Sequence, residues 1–127
     1  DRRKLVSYPD HPIDGQYRDR FFEIMGGHDE SSKADQEVVE SFYRAQQVWD
    51  ATMARSSIDA LGAYGPPVLL LVGRFHSDWN GGTVNQIQRR APSARVLTIS
   101  LEPQCGGLET SKSNPQADLI FCTGPLG

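Results

Sequence analysis

The stretch that decides the predicted fold is Pro67–His76, PVLLLVGRFH. Within it, Val68–Val72 is an unbroken aliphatic run with prolines before it and Gly73 after it. A short apolar run without polar alternation is typical of a strand buried on both faces, which predicts a central strand of a mostly parallel sheet. The residues after Gly73 then lie at the carboxyl end of this strand, where open α/β sheets bind ligands.

Two further strands and a helix follow this run. A polar loop over 77–82 leads into a predicted helix over Thr83–Arg90. Arg95–Leu101 is rich in β-branched residues and predicts a strand, and Asp118–Cys122 predicts the last one. The order strand, helix, strand predicts a right-handed crossover and parallel pairing of the first two strands. The predicted class is therefore α/β, with a mostly parallel sheet flanked by helices.

Length and composition limit the classes of function. The 127 residues make at most one domain, with residues 1–15 irregular, and 38% hydrophobic residues fit a soluble protein with a modest core. A net charge of −3 argues against nucleic-acid binding, and the longest apolar run is too short to span a bilayer. Both ends, DRRKLVSYPDHP and FCTGPLG, start or stop abruptly, which favours a fragment of a longer protein.

Two helices are predicted before the central strand. Gln16–Met25 has apolar residues at helical spacing and is followed by Gly26-Gly27, which ends the helix. Ser32–Leu61 predicts one long helix with Phe42 at the centre of its apolar face. Flanking residues on that predicted face are Val38, Val39, Ala45, Trp49, Met53 and Ser56, and the opposite face holds Glu37, Glu40, Arg44, Gln47 and Arg55.

Gln46 and Asp50 interrupt the apolar face of the long helix. A buried amide or carboxylate needs hydrogen-bond partners, because its burial is otherwise costly. One interpretation is that Gln46 satisfies a backbone group of the sheet. The other is that Gln46 and Asp50 point at a site near His76, and this second interpretation predicts that His76 lies close to Gln46 or Asp50.

The two cysteines leave the compartment open. No Cys-x-x-Cys spacing indicates a zinc site. A disulfide between Cys105 and Cys122 would close the Gly-rich loop before the last strand. The favoured prediction is that Cys122 is a small buried strand residue and Cys105 a loop thiol.

No catalytic motif is present, so attention falls on the histidines. His76 is singled out by its place at the strand end and His28 by a Gly-bordered loop before the long helix, whereas His11 has no predicted function. A haem site needs an axial donor and an apolar wall. His76, His28 or Tyr43 are the candidate donors. Phe75 and Trp79 are the candidate walls, while Phe42 and Trp49 are predicted to be core.

Several of these segments together resemble a known family. Gln46-x-x-Trp49-Asp50-x-x-Met53-Ala54 on a long helix, then a strand closing in Gly73-x-x-His76, is similar to the ChaN-like haem-binding uptake family of the Tiki/TraB superfamily. The Gly26-Gly27-His28 loop also resembles a family feature. The resemblance runs from about Phe21 to Glu102 and makes 16–127 a ChaN-like core that looks like the second half of a larger domain.

The resemblance implies a haem-binding protein of iron uptake, held outside the cytoplasm as a bacterial periplasmic or surface-anchored lipoprotein. The implied partners are haem, a second subunit in a homodimer, and the missing N-terminal half. Tiki relatives imply an alternative, a metal-dependent hydrolase in which His76 and His28 bind a divalent metal with Gln46 and Asp50 in support. A non-catalytic interaction subunit is the third expectation, because the Gly-Glu-x-His strand of the family and its upstream half are not matched here.

Overall fold

Three helices and a two-stranded parallel sheet make up the described part of the chain, so the coarse α/β class holds. The computed structural model describes residues 5–26, 33–103 and 115–124. Its elements are α1 (Gln16–Ile24), α2 (Lys33–Tyr64), two 3₁₀ turns (Arg74–His76 and Asp78–Asn80), α3 (Gly82–Arg90), β1 (Ile99–Glu102) and β2 (Leu119–Cys122). β1 and β2 pair in parallel, with Ile99 opposite Leu119.

Glycines in the left-handed region end the first two helices. Gly26 follows α1 with φ 75°, and Gly65 follows α2 with φ 76°. The Gly65 N–H donates to the Leu61 carbonyl at 3.0 Å, which satisfies an acceptor that the helix end leaves unpaired. Pro66 comes next and cannot continue the helix, so the predicted boundary near Leu61 falls three residues early.

An aromatic core joins α1 to α2. Tyr17 and Phe21, one helical turn apart, are buried against Tyr43 of α2, together with Ile13 and Val39. Phe75, from the first 3₁₀ turn, packs on the same cluster with its ring centroid 4.9 Å from that of Tyr17. The segment that carries His76 is therefore fixed to the helices by an aromatic side chain.

The predicted apolar face of α2 is wrong. Phe42 is 51% exposed and Trp49 65% exposed, so neither is a core residue. The buried face instead contains two polar residues, Gln47 and Asp50. Gln47, predicted to face solvent, accepts a hydrogen bond from the Ile13 N–H at 2.9 Å. Hydrogen bonding offsets the cost of burying these groups, which a hydrophobicity pattern does not register.

Val68–Val72 forms no strand, which contradicts the prediction of a buried central strand. Leu69 and Leu71 are 83% and 85% exposed, whereas Val68 and Leu70 are both 38% exposed. This alternation is what an extended chain presents, but no described segment pairs with it. The predicted parallel pairing with the next strand is absent for the same reason. An apolar run indicates extended chain, and a strand also needs a neighbour to complete its hydrogen bonds.

The sheet buries polar residues and exposes apolar ones. Ser100 and Glu102 of β1 are buried, whereas Leu101 is 62% exposed. The same inversion reaches β2, where Phe121 is 54% exposed. Cys122 is exposed and disulfide-bonded rather than a buried thiol, and the other cysteine in the sequence, Cys105, lies outside the described residues.

Candidate functional site

The fully buried carboxylate of Asp50 is the centre of a hydrogen-bond network. Its Oδ2 accepts from the Tyr17 hydroxyl at 2.5 Å, and its Oδ1 accepts from the Thr83 hydroxyl at 2.8 Å. The Nδ1 atom of His76 lies 2.7 Å from the same Oδ1. Donors from α1, α3 and the first 3₁₀ turn thus converge on one residue of α2. Three short donors replace the hydration that burial removes from the carboxylate.

The Asp50 contact determines which nitrogen of His76 carries the proton. A carboxylate oxygen accepts only, so the 2.7 Å contact places the proton on Nδ1. Gln46 Nε2 lies 3.2 Å from this Nδ1 and 3.2 Å from the Tyr17 hydroxyl. Because Nδ1 already donates to Asp50, Gln46 donates to Tyr17, and its approach to His76 is a packing contact. The predicted proximity of His76 to Gln46 and Asp50 is confirmed.

The other ring nitrogen, Nε2, forms no hydrogen bond with a described residue, and the His76 side chain is 22% exposed. Asp50 Oδ1, 2.7 Å from Nδ1 at the back of the ring, fixes the orientation of the imidazole, as carboxylates do for metal-bound histidines. The arrangement is a preoriented imidazole at the protein surface, with Nε2 on the side away from Asp50.

Close backbone packing at the start of α3 completes the network. A Cβ atom on Gly82 would lie 2.7 Å from Asp50 Oδ1 and 2.8 Å from the Tyr17 hydroxyl. Gly82 also has φ 45°, a conformation that L side chains rarely adopt. Glycine at 82 is therefore required for Thr83 to reach Asp50. By contrast, a Cβ on Gly73 would lie 3.8 Å from His76 Cδ2, an ordinary van der Waals contact, so a side chain at position 73 would not clash.

A second polar cluster ties the His76 segment to the carboxyl end of β1. Arg74 forms an ion pair with Glu102, and Gln116 Nε2 donates to Glu102 Oε1 at 2.5 Å and to Asp78 Oδ2 at 2.9 Å. Burial raises the pKa of Asp78, although Gln116 and Ser100 act against that shift. Burial also acts to raise the pKa of Glu102. Hydrogen bonds from Arg74 and Gln116 have the larger effect, so the pKa of Glu102 is lowered.

The structure places the other predicted site residues in different settings. Tyr43 is 1% exposed and donates to the Ile13 carbonyl, and burial raises the pKa of its hydroxyl. In that position its oxygen is not available as an axial donor. Trp79 is half-buried, with the Arg20 guanidinium 3.8 Å from its ring centroid. His28 lies outside the described residues.

The comparison with protein-family models decides the family. Residues 1–87 match the model described as haem-binding uptake, Tiki superfamily, ChaN. The chain belongs to the ChaN family. The match includes α1, α2, His76 and the start of α3, so it begins earlier and ends earlier than the resemblance seen in the sequence. No curated protein and no solved structure matches the chain.

The residues present offer one donor to a haem iron. An axial site needs one accessible imidazole nitrogen, which His76 Nε2 would supply. A protein-bound divalent ion needs several convergent ligands, and no group of three His, Cys, Asp or Glu side chains occurs within 5–26, 33–103 and 115–124. Both carboxylate oxygens of Asp50 are already occupied by protein donors.

Tyr17 and Thr83 are network members that the sequence interpretation missed. Helical spacing places Tyr17 among the apolar residues of α1, but a buried tyrosine hydroxyl also needs a partner. A buried tyrosine facing a helix that carries Gln46 and Asp50 is the signal that would have identified it. Burial raises the pKa of Tyr17 and the Asp50 carboxylate raises it further, so the hydroxyl remains a donor. Thr83 gave no such signal, because threonine at a helix start is common.

Proposed function

We propose that this ChaN-family protein binds haem with His76 Nε2 as an axial ligand. The single observation that carries the proposal is the 2.7 Å contact between His76 Nδ1 and Asp50 Oδ1, which orients the ring and leaves the opposite nitrogen without a contact to Asp50. Haem iron, when bound, would accept this lone pair. Asp50 holds the ring, Tyr17 and Thr83 hold Asp50, and Phe75 fixes the segment to the core. The family description, haem-binding uptake, supports the same ligand.

Haemin titration of the chain beside His76→Ala tests the proposal. The unchanged protein is expected to give a saturable shift of the Soret band, and His76→Ala to remove or strongly weaken it. Added imidazole should restore the band in the variant, because it replaces the lost donor. His11→Ala is the matched control, since His11 is exposed and no network includes it. An equal Soret shift for His76→Ala would transfer the ligand role to another residue, His28 first.

Asp50→Asn sharpens the assignment. The amide keeps the size of the carboxylate but removes its charge. Replacing the hydrogen-bond partner of a metal-binding histidine typically reduces metal affinity about 10- to 100-fold. Reduced affinity with an unchanged Soret position is the expected result, because the ligand atom stays the same. Affinity equal to that of the unchanged protein would show that Asp50 is structural only.

We also propose that the protein works outside the cytoplasm and that a further segment or subunit covers its exposed apolar surface. The Cys122 disulfide supports an oxidising compartment. Apolar residues exposed on β1, β2 and Val68–Val72 support a covering partner, because large apolar patches are rare on soluble monomers. No helix among the described residues has the length and apolar character to cross a membrane. Cell fractionation tests the location, and recovery of the protein only in the cytoplasmic fraction would contradict it.

A further inference from the structure

A small pocket separate from His76 is lined by groups of both charges that do not pair with each other. Its volume is about 130 Å³, and it lies between α1 and the start of α3. Arg20 and Asp78 both line it, with Asp14, Trp79 and Asn85 beside them. Arg20 and Asp78 each shift the pKa of the other, so they lie within electrostatic range. They nevertheless form no ion pair.

Three polar groups on this pocket lack partners in the described part of the chain. Asp78 is 2% exposed, and its Oδ1 has no hydrogen-bond partner, although Oδ2 is bonded to Gln116. Asn85 Oδ1 is likewise buried and unpaired. The Arg20 guanidinium contacts the rings of Phe75 and Trp79 but no described acceptor. Unpaired buried polar atoms are rare and costly, so a ligand that supplies the partners would be favoured.

The backbone of the pocket wall is held in an unusual conformation. Trp79 and Asn80 have φ 55° and 53°, and neither is glycine. Two consecutive non-glycine residues in the left-handed region are unusual, and such positions concentrate at binding sites. The conformation is fixed at one side by the Trp79 N–H, which donates to the Gln116 carbonyl at 2.8 Å. Strain, unpaired atoms and the pocket thus coincide over one segment.

We infer that this pocket binds a small zwitterion, an α-amino acid of the size of glycine or alanine. The carboxylate of the ligand would pair with Arg20, and its ammonium group would donate to Asp78 and Asn85. Within the described part of the chain, a single anion would leave two buried acceptors unpaired and a single cation would leave the Arg20 donors unpaired, so a molecule with both charges satisfies the site best. The size follows from the volume, which is below the ~300–1,000 Å³ of pockets for larger ligands.

Glycine is the probe that tests this inference. The sequence has two tryptophans, so a Trp49→Phe background leaves Trp79 as the fluorescent reporter at the pocket. Glycine is expected to give a saturable fluorescence change, confirmed by calorimetry. Acetate and methylammonium, which each carry one of its two charges, should bind at least about tenfold more weakly, because each loses a charge-assisted contact.

Variants of the lining residues complete the test. Arg20→Gln and Asn85→Ala in the same background are each expected to weaken glycine binding about tenfold or more, read by calorimetry because Arg20 itself contacts the reporter ring. Asp78→Asn is expected to weaken glycine binding as well. Because Asp78 also accepts a hydrogen bond from Gln116, this variant can lose stability, so Arg20→Gln and Asn85→Ala are the decisive variants. Helical circular dichroism verifies that each variant is folded. Absence of glycine binding to the folded protein, equal binding of acetate, or unchanged binding by Arg20→Gln would each overturn the inference.

Discussion

The helices around Asp50 and the sheet of β1 and β2 differ in which side chains they bury. Around Asp50, buried polar groups have partners, and aromatic residues cover them. On the sheet, Leu101 and Phe121 are exposed while Glu102 is buried. The network around Asp50 therefore satisfies its buried carboxylate within the described residues, whereas the sheet leaves apolar side chains exposed, as α2 does with Phe42 and Trp49. The comparison implies that mutations should act on folding in the first region and on association in the second.

Asp50→Ala should produce the largest effect on stability. It removes the shared acceptor of Tyr17, Thr83 and His76, and leaves the first two hydroxyls buried without an acceptor. Loss of one member of a buried charged network costs roughly 3–5 kcal/mol of unfolding free energy. Urea denaturation measures it. Asp59→Ala on the same helix is the control and should change stability by less than about 0.5 kcal/mol, because Asp59 pairs with Arg55 at the surface. Equal losses would contradict a central role for Asp50.

Gly82→Ala should give the next largest loss, about 1–3 kcal/mol. The new Cβ would meet Asp50 Oδ1 at 2.7 Å in a backbone conformation that disfavours L side chains. Gly62→Ala is the matched control, since nothing lies within 4 Å of its Cβ position and it lies in α2. The control should gain about 0.5–1 kcal/mol from better helix propensity. Thermal denaturation of both variants decides, and a stabilising Gly82→Ala would refute the close packing described at Asp50.

The two regions also differ in how far the sequence predicts them. Helical periodicity predicts α1, α2 and α3 to within about three residues, because helices complete their hydrogen bonds locally. Val68–Val72 fails as a strand because strand pairing depends on distant segments. The buried face of α2 is misassigned because Gln47 and Asp50 are buried through hydrogen bonds that no apolar pattern reveals. The apolar stripe around Phe42 is real in sequence but exposed in the structure.

For the candidate site, the sequence predicts that His76 lies near Gln46 or Asp50, but it does not predict the hydrogen bonds from Tyr17 and Thr83 to Asp50. Two interruptions of an apolar stripe and a histidine after an apolar run are visible in the sequence. Tyr17 and Thr83 come from other elements, and their approach depends on how α1 and α3 pack on α2. The absence of a side chain at Gly82 controls that packing, which becomes visible only in three dimensions.

Arg74→Gln removes an ion pair that links the helical region to the sheet. It should lower the unfolding free energy by less than Asp50→Ala or Gly82→Ala. Burial alone would raise the pKa of Glu102, but Arg74 and Gln116 lower it below its ordinary value of 4.5. The stability that ionised Glu102 contributes is therefore complete above pH 4.5 and is lost as pH falls through the folded-state pKa. Asp78 acts in the opposite sense, because its pKa is raised above 3.8: its contribution is present below pH 3.8 and is lost as pH rises through the folded-state value.

In Arg74→Gln, the pKa of Glu102 should rise toward or above 4.5, and the stability lost on acidification should shrink. The loss at pH 7 should stay below about 1 kcal/mol, because the Arg74 side chain is 54% exposed and water screens the pair. Carboxyl chemical shifts followed by NMR from pH 2 to 7 give the measurement, and the range is set by ordinary carboxyl pKa values of about 4. Arg55→Gln, which removes an exposed pair, is the control. An unmoved Glu102 titration would show that Gln116 alone holds the low pKa.

Leu101→Lys on the sheet should have the smallest effect on folding and a clear effect on association. Leu101 is 62% exposed, so the change should alter unfolding free energy by no more than about 0.5 kcal/mol. If a second copy covers this face in the absence of another segment, sedimentation velocity should show concentration-dependent self-association that Leu101→Lys abolishes, because a charge inside an apolar interface is costly to desolvate. Ile24→Lys, at the end of α1 and 67% exposed, should leave the sedimentation unchanged. A chain that sediments as a monomer at every concentration would contradict self-association through the sheet face. The apolar side chains of the sheet would then be exposed in the isolated chain as well.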